Sequence, residues 1–217
     1  MKEAVEKCVR EGRLVAIIRG FDPETTIRLA EAYAKGGIRA VEVTFVQTDR
    51  ALWTRTTEAI GAIAKRFGGD VCVGAGTVLT SEQLKMTQDA GGQFMVAPNV
   101  NRELIRECVA KGMAAIPGAL TPSEAVEAWE AGASFVKIFP AGNMGPAYVK
   151  ALKAPLAHIP MLAVGGINPD NIADFIKAGC VGACVSGALV NKEMIAAGAW
   201  DRIADVAKTL IERVHIG

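Results

Sequence analysis

Histidine is almost missing from this chain: His158 and His215 are the only two in 217 residues, and they stand far apart. A histidine-rich metal site is not expected, and nothing in the sequence asks for a metal or another cofactor. The five cysteines, Cys8, Cys72, Cys108, Cys180 and Cys184, are odd in number and contain no Cys-x-x-Cys pair. Reduced, mostly buried thiols fit that pattern better than a disulfide framework. Charge of either sign is not in surplus. A formal net charge of +1 gives no reason to expect nucleic acid or an anionic membrane as a partner. No apolar run reaches the roughly 18 residues that a membrane span requires. The N-terminal Met-Lys-Glu-Ala-Val-Glu-Lys-Cys-Val-Arg reads as an amphipathic helix of mixed charge and lacks the apolar core of a signal peptide. The cytoplasm is therefore the expected location. Linkers and low-complexity tracts are missing too, so a single domain over residues 1–217 is expected, with 51% apolar residues to fill one core.

What is present is a repeat. Leu14-Val-Ala-Ile-Ile18 is apolar throughout, the mark of a parallel strand covered on both sides. Asp22-Pro23-Glu24 then supplies an N-cap, a proline at the first helical position and an acid in the first turn, and Gly36-Gly37 ends the helix. The same unit recurs with strands at Ala40–Phe45, Val71–Ala75, Phe94–Ala97, Met113–Ile116, Phe135–Phe139, Met161–Val164 and Gly182–Val185. A last helix runs from about Trp200 to Arg213. Eight strand-then-helix units without a Gly-x-Gly-x-x-Gly after the first strand favour a (β/α)8 TIM barrel, with an extra N-terminal helix, over a doubly wound sheet.

In such barrels the chemistry gathers at the carboxyl ends of the strands. Those positions carry Arg19, Glu42, Thr77, Pro98, Gly118, Lys137, Gly165-Gly166 and Ser186-Gly187. Lys137 sits mid-strand, in phase with Phe135 and Phe139. Apolar surroundings favour a free amine over an ammonium, and a free amine adds to carbonyls. Its bland alternatives are an ion pair inside the barrel or a head group that reaches solvent at the strand end. Glu42 shares an inward phase with Ala40 and Thr44; it is either a proton shuttle beside an amine or the structural partner of Lys137 or Arg19. Arg19 is read as an anion clamp, with pairing to Glu42 as the alternative. Gly165-Gly166, with Asn168 and Pro169 capping the next helix, and Ser186-Gly187 occupy the paired loops that commonly hold a phosphate. Thr77 either bonds a carboxylate or caps a turn. Phe139 either packs in the core or lines the cleft.

Taken in order, several stretches resemble the 2-keto-3-deoxy-6-phosphogluconate (KDPG/KHG) aldolase family over nearly the full length. They are Ala16-Ile-Ile-Arg19-Gly20, Val41-Glu42-Val43-Thr44, Gly74-Ala-Gly-Thr77-Val-Leu, Ala97-Pro98-Asn99, Pro117-Gly118, Phe135-Val-Lys137-Ile-Phe139-Pro140-Ala and Val164-Gly165-Gly166-Ile-Asn-Pro169. The resemblance implies a trimeric class I aldolase without cofactor. Lys137 would form the Schiff base and Glu42 would move protons. Thr77 and the Pro98 carbonyl would surround the pyruvate portion, while Arg19, Gly165, Gly166 and Ser186-Gly187 would serve the distal anion. Its implied reaction cleaves a 2-keto-3-deoxy-6-phospho sugar acid to pyruvate and glyceraldehyde 3-phosphate, with 4-hydroxy-2-oxoglutarate as a further candidate substrate.

Two positions depart from the gluconate-type pattern. Many members carry an arginine four residues beyond the glutamate, where this chain has Val46. Gluconate-preferring members place a threonine before the Gly-Gly; Val164 here resembles the galactonate type. Two other readings remain open on the sequence: a phosphosugar isomerase or epimerase, and a non-catalytic phosphometabolite-binding protein on the same scaffold.

Overall fold

A computed structural model describes residues 1–216. Helix α1 (Lys2–Gly12) precedes β1 (Leu14–Ile18), and α2 (Pro23–Lys35) leads to β2 (Ala40–Thr44). A 3-10 turn at Arg50–Leu52 opens α3 (Trp53–Phe67), which is followed by β3 (Cys72–Gly76) and α4 (Ser81–Asp89). Next come β4 (Phe94–Val96), α5 (Arg102–Ala110), β5 (Ala114–Ile116), β6 (Gly118–Ala119) and α6 (Pro122–Glu130). The chain continues through β7 (Val136–Ile138), α7 (Ala141–Lys153), β8 (Met161–Val164) and α8 (Ile172–Lys177). It closes with β9 (Gly182–Val185), α9 (Lys192–Ala196) and α10 (Trp200–Ile216).

All pairings are parallel, in the order β5-β4-β3-β2-β1-β9-β8-β7-β6. The two ends of that order are adjacent in the chain, separated only by Pro117. A proline has no amide hydrogen to give a ladder, so one physical strand registers as two short pieces. Its first half pairs with β4 and its second half with β7. The Ser134 amide donates to the Ala115 carbonyl at 2.9 Å, and the Lys137 amide to the Pro117 carbonyl at 2.9 Å, which closes the ring. The architecture is thus the expected eight-unit barrel.

Alternate residues of each strand separate two cores. Val41, Val43 and Phe45 face the helices, with Leu29, Tyr33 and Ile60 against them. Val15, Ile17, Phe94, Ile116, Phe135 and Leu162 fill the interior. Helix α1 plugs the end opposite the strand carboxyl termini, sending the fully buried Val5 and Val9 into that interior cluster. The sequence foresaw the helix but not its use as a plug. With that end sealed, access to the interior is left to the strand carboxyl ends.

Local signals hold in detail. Asp22 caps α2, its carboxylate accepting from the Thr25 amide at 3.0 Å. Thr80 caps α4, and Thr121 closes a capping box with Glu124 on α6. Elsewhere the sequence misplaces boundaries. The strand expected over Phe135–Phe139 spans only Val136–Ile138. Asn168 and Pro169 do not start α8; the Asn168 side chain instead accepts from the amides of Asp170 and Asn171, making a tight turn before the helix begins at Ile172.

Candidate active site

Lys137 stands mid-way along β7, 6% exposed, between Gly118 and Leu162 on the flanking strands. Phe135, the previous inward residue, is fully buried below it. Phe139, the next, rises to the mouth and is 39% exposed. The Lys137 Nζ lies 4.8 Å from the Phe139 ring centroid, so the ring forms one wall around the amine. Among the described residues no carboxylate lies within 4.0 Å of that nitrogen.

Glu42, on β2, is 2% exposed and in register with Ile17 on one side and Gly74 on the other. Its Oε1 accepts from the Thr44 hydroxyl at 3.3 Å, while Oε2 has no hydrogen-bond partner among the described residues. Burial pushes this carboxyl above the usual carboxylate range; the positive charges of Lys137 and Arg19 and the Thr44 hydroxyl pull it back in part. Room for the carboxylate comes from Gly76 on the neighbouring strand. A Cβ there would lie 2.6 Å from Glu42 Cδ and closer still to Oε1.

Above these two groups opens a cavity of about 630 Å³. Lys137, Phe139, Thr77, Pro98 and Arg19 line it. Gly165, Gly166, Ser186 and Gly187 line it too, with Gly165 packed beside the Phe139 ring. Of the residues expected at the strand ends, Glu42 and Gly118 do not line the cavity, Gly118 lying beside Lys137 on the neighbouring strand; the others are in its wall. Gly165 and Gly166 have φ of 91° and 73°, a backbone state that L side chains resist. Arg19 is exposed, and no carboxylate among the described residues lies within 4.0 Å of it, so it does not form the ion pair with Glu42. Val46 adds no charge; its carbonyl accepts from the Trp53 indole at 3.0 Å.

A family model for KDPG and KHG aldolase matches residues 5–206. The chain belongs to the KDPG and KHG aldolase family. It is 42% identical, over 78% of its length and 80% of the relative's, to the 2-dehydro-3-deoxy-6-phosphogalactonate aldolase of Escherichia coli (strain K12). It is 35% identical, over 99% and 97%, to a 2-dehydro-3-deoxy-phosphogluconate aldolase of Treponema pallidum. Its backbone also matches the KDPG aldolase from Legionella pneumophila, a structure with pyruvate captured at low pH as a covalent carbinolamine intermediate. The TM-score there is 0.83, with 26% identity over 94% of this chain and 97% of that one. Of the three readings left open by the sequence, the aldolase one stands.

Sequence reasoning missed three features of this aldolase's site. Cys184, in the interior of β9, lines the cavity, and burial raises its thiol pKa, with the Glu42 charge adding to the effect. Ile17 lines it from β1. Both were legible as inward positions from the two-residue phase. Gly76 was not, because its necessity lies in the side chain of a residue on another strand.

Proposed function

We propose that this aldolase cleaves 2-keto-3-deoxy-6-phospho sugar acids, with gluconate or galactonate configuration, to pyruvate and glyceraldehyde 3-phosphate through a Schiff base on Lys137. The observation that carries the reading is a buried amine in the cavity wall, near a buried carboxyl whose proton affinity burial has raised. The Lys137 Nζ adds to the C2 ketone, and loss of water gives an iminium. The C3–C4 bond then breaks; its electrons pass to the iminium while Glu42, directly or through a water, takes the C4 hydroxyl proton. Glyceraldehyde 3-phosphate leaves. The enamine takes a proton at C3, and hydrolysis releases pyruvate and restores the amine. A carboxyl with a raised pKa is closer to the working pH, where it both accepts and returns a proton efficiently.

Thr77 and the Pro98 carbonyl serve the pyruvate end. Arg19 serves the distal anion, together with Gly165, Gly166, Ser186 and Gly187, whose backbone can approach a phosphate closely. With Val46 in place of an arginine, Arg19 is the guanidinium in the cavity wall, so anion recognition rests on it and on backbone amides. We also read the molecule as one barrel domain that works as a homotrimer in the cytoplasm. Light scattering tests the trimer. Among the described residues no helix is long and apolar enough to cross a membrane.

Val164, fully apolar at the end of β8, gives the C4 hydroxyl nothing to bond there. An apolar wall discriminates weakly between epimers, so both should be cleaved. Pyruvate release from each pure epimer, measured for the wild type and for Val164→Thr, tests this. Comparable kcat/KM values for the wild type support the reading, as does a shift toward the gluconate form in the variant. A wild-type preference for the gluconate epimer above about 10³-fold, unmoved by Val164→Thr, would contradict it.

A further inference from the structure

We infer that Gln47 and Gln83, two glutamines outside the cavity, are positioning residues that hold Thr77 in its place against the substrate's pyruvate end. The inference rests on the proposed Schiff-base reaction.

Thr77 has φ of 54°, a left-handed backbone for a β-branched residue, which needs outside support to persist. The ladder on either side of it is regular: the Gly76 carbonyl accepts from Phe45 at 2.9 Å, and the Val78 amide donates to Val96 at 3.1 Å. At Thr77 itself the chain turns, and among the turn and loop backbone hydrogen bonds none reaches its carbonyl. Its partner is a side chain. The Gln47 Nε2 donates to the Thr77 carbonyl at 2.7 Å. The Gln47 Oε1 in turn accepts from Gln83 Nε2 at 3.0 Å, and the Gln83 Oε1 accepts from the Leu79 amide at 2.8 Å. Gln83 is fully buried in the first turn of α4.

The polarity of this relay is fixed at both ends by the backbone. An amide N–H at Leu79 demands an oxygen from Gln83, and a carbonyl at Thr77 demands an N–H from Gln47. Two primary amides in series satisfy both ends, because each carries a donor and an acceptor. A carboxylate at position 47 would set two acceptors face to face. The relay also spans the loop that follows β2, the strand that carries Glu42. An ion pair between Arg50 and Glu82 ties the same loop to α4, though it is exposed and adds little by itself. The turn holding Thr77 is therefore fastened to β2's loop and to α4 by hydrogen bonds of defined direction.

Gln47→Met and Gln83→Met, singly and together, test the relay. Gln47 is exposed, so Gln47→Met folds as the wild type does and carries the test even if the buried Gln83→Met proves unstable. The first readout is the pyruvate concentration giving half-maximal borohydride trapping on Lys137; the second is kcat and KM for cleavage. We expect Gln47→Met to raise the half-saturating pyruvate concentration about 10-fold, within the range for a misplaced positioning contact. The loss should fall on KM more than on kcat, as for a contact held equally in ground and transition states. Gln83 acts through Gln47, so the double variant should be no worse than Gln47→Met. Values within twofold of wild type in Gln47→Met would overturn the inference, as would strictly additive losses in the double variant. No trapping in the wild type would instead overturn the Schiff-base reading itself.

Discussion

Gly76→Ala asks whether the space beside Glu42 matters to the chemistry. The φ of Gly76 is not in the left-handed region, so an alanine meets no backbone objection there. What it meets is the carboxylate: the new Cβ would sit 2.6 Å from Glu42 Cδ, against an ordinary contact of at least 3.4 Å. The carboxyl must retreat by about 1 Å, and it is nearly fully buried, so strand β2 or the Thr44 contact has to yield. Overpacking of this kind costs about 1–3 kcal/mol. For a chain of this size each kcal/mol lowers Tm by about 2–4 °C. A displacement of that size in a reacting group costs up to about 10²-fold in rate. We therefore expect kcat for cleavage to fall by about 10²-fold while Lys137 still traps pyruvate, because the amine lies on a different strand. Coupled detection of pyruvate, borohydride trapping and thermal unfolding read the three quantities separately. A well-folded Gly76→Ala with near-normal kcat would refute the reasoning. Gly74→Ala is a useful contrast, since its Cβ would meet the Phe94 ring at 2.6 Å and should damage stability more than chemistry.

Glu42→Gln keeps the shape and removes the proton-transfer group, so kcat should fall by about 10²-fold or more; near-normal turnover would leave Glu42 an architectural role only. The same variant has a stability signature. Burial raises the Glu42 pKa in the folded state, so the proton it holds stabilises the fold fully below the unfolded carboxyl's pKa, and that contribution is lost as pH rises toward and through the folded value. The Tm of Glu42→Gln minus that of the wild type should therefore increase with pH above about 4.5 and then level off; a flat difference would contradict the assignment. Exhaustive chelation should leave activity intact, since among the described residues no three His, Cys, Asp or Glu side chains cluster as a metal site. Activity lost in EDTA and restored by a divalent ion would count against a purely amine-based mechanism.

The two central residues were legible because a strand's side chains alternate, and that period needs no knowledge of neighbours. Lys137 with Phe135, and Glu42 with Ala40 and Thr44, point inward as their phase requires. The repeated caps and glycine stops told the helices from the strands for the same local reason. What stayed hidden depends on contacts between distant segments. The vacancy at Gly76 belongs to a carboxylate 34 positions earlier in the chain, and Gln83 matters through Gln47, 36 residues away. The break at Pro117 shows the limit from another side. The missing donor is plain in the sequence, but the split into halves that serve different neighbours appears only when the barrel closes. Helix α7 is a similar case: Gly145-Pro146 marks a kink, with Gly145 at φ 79°, that apolar spacing alone passes over.

The most direct test of the Schiff-base account is to incubate the protein with pyruvate and borohydride and map the reduced adduct by mass spectrometry. The account predicts one pyruvate-derived secondary amine per chain, on Lys137. An unlabelled protein, or label on an exposed lysine such as Lys150 in place of Lys137, would contradict it.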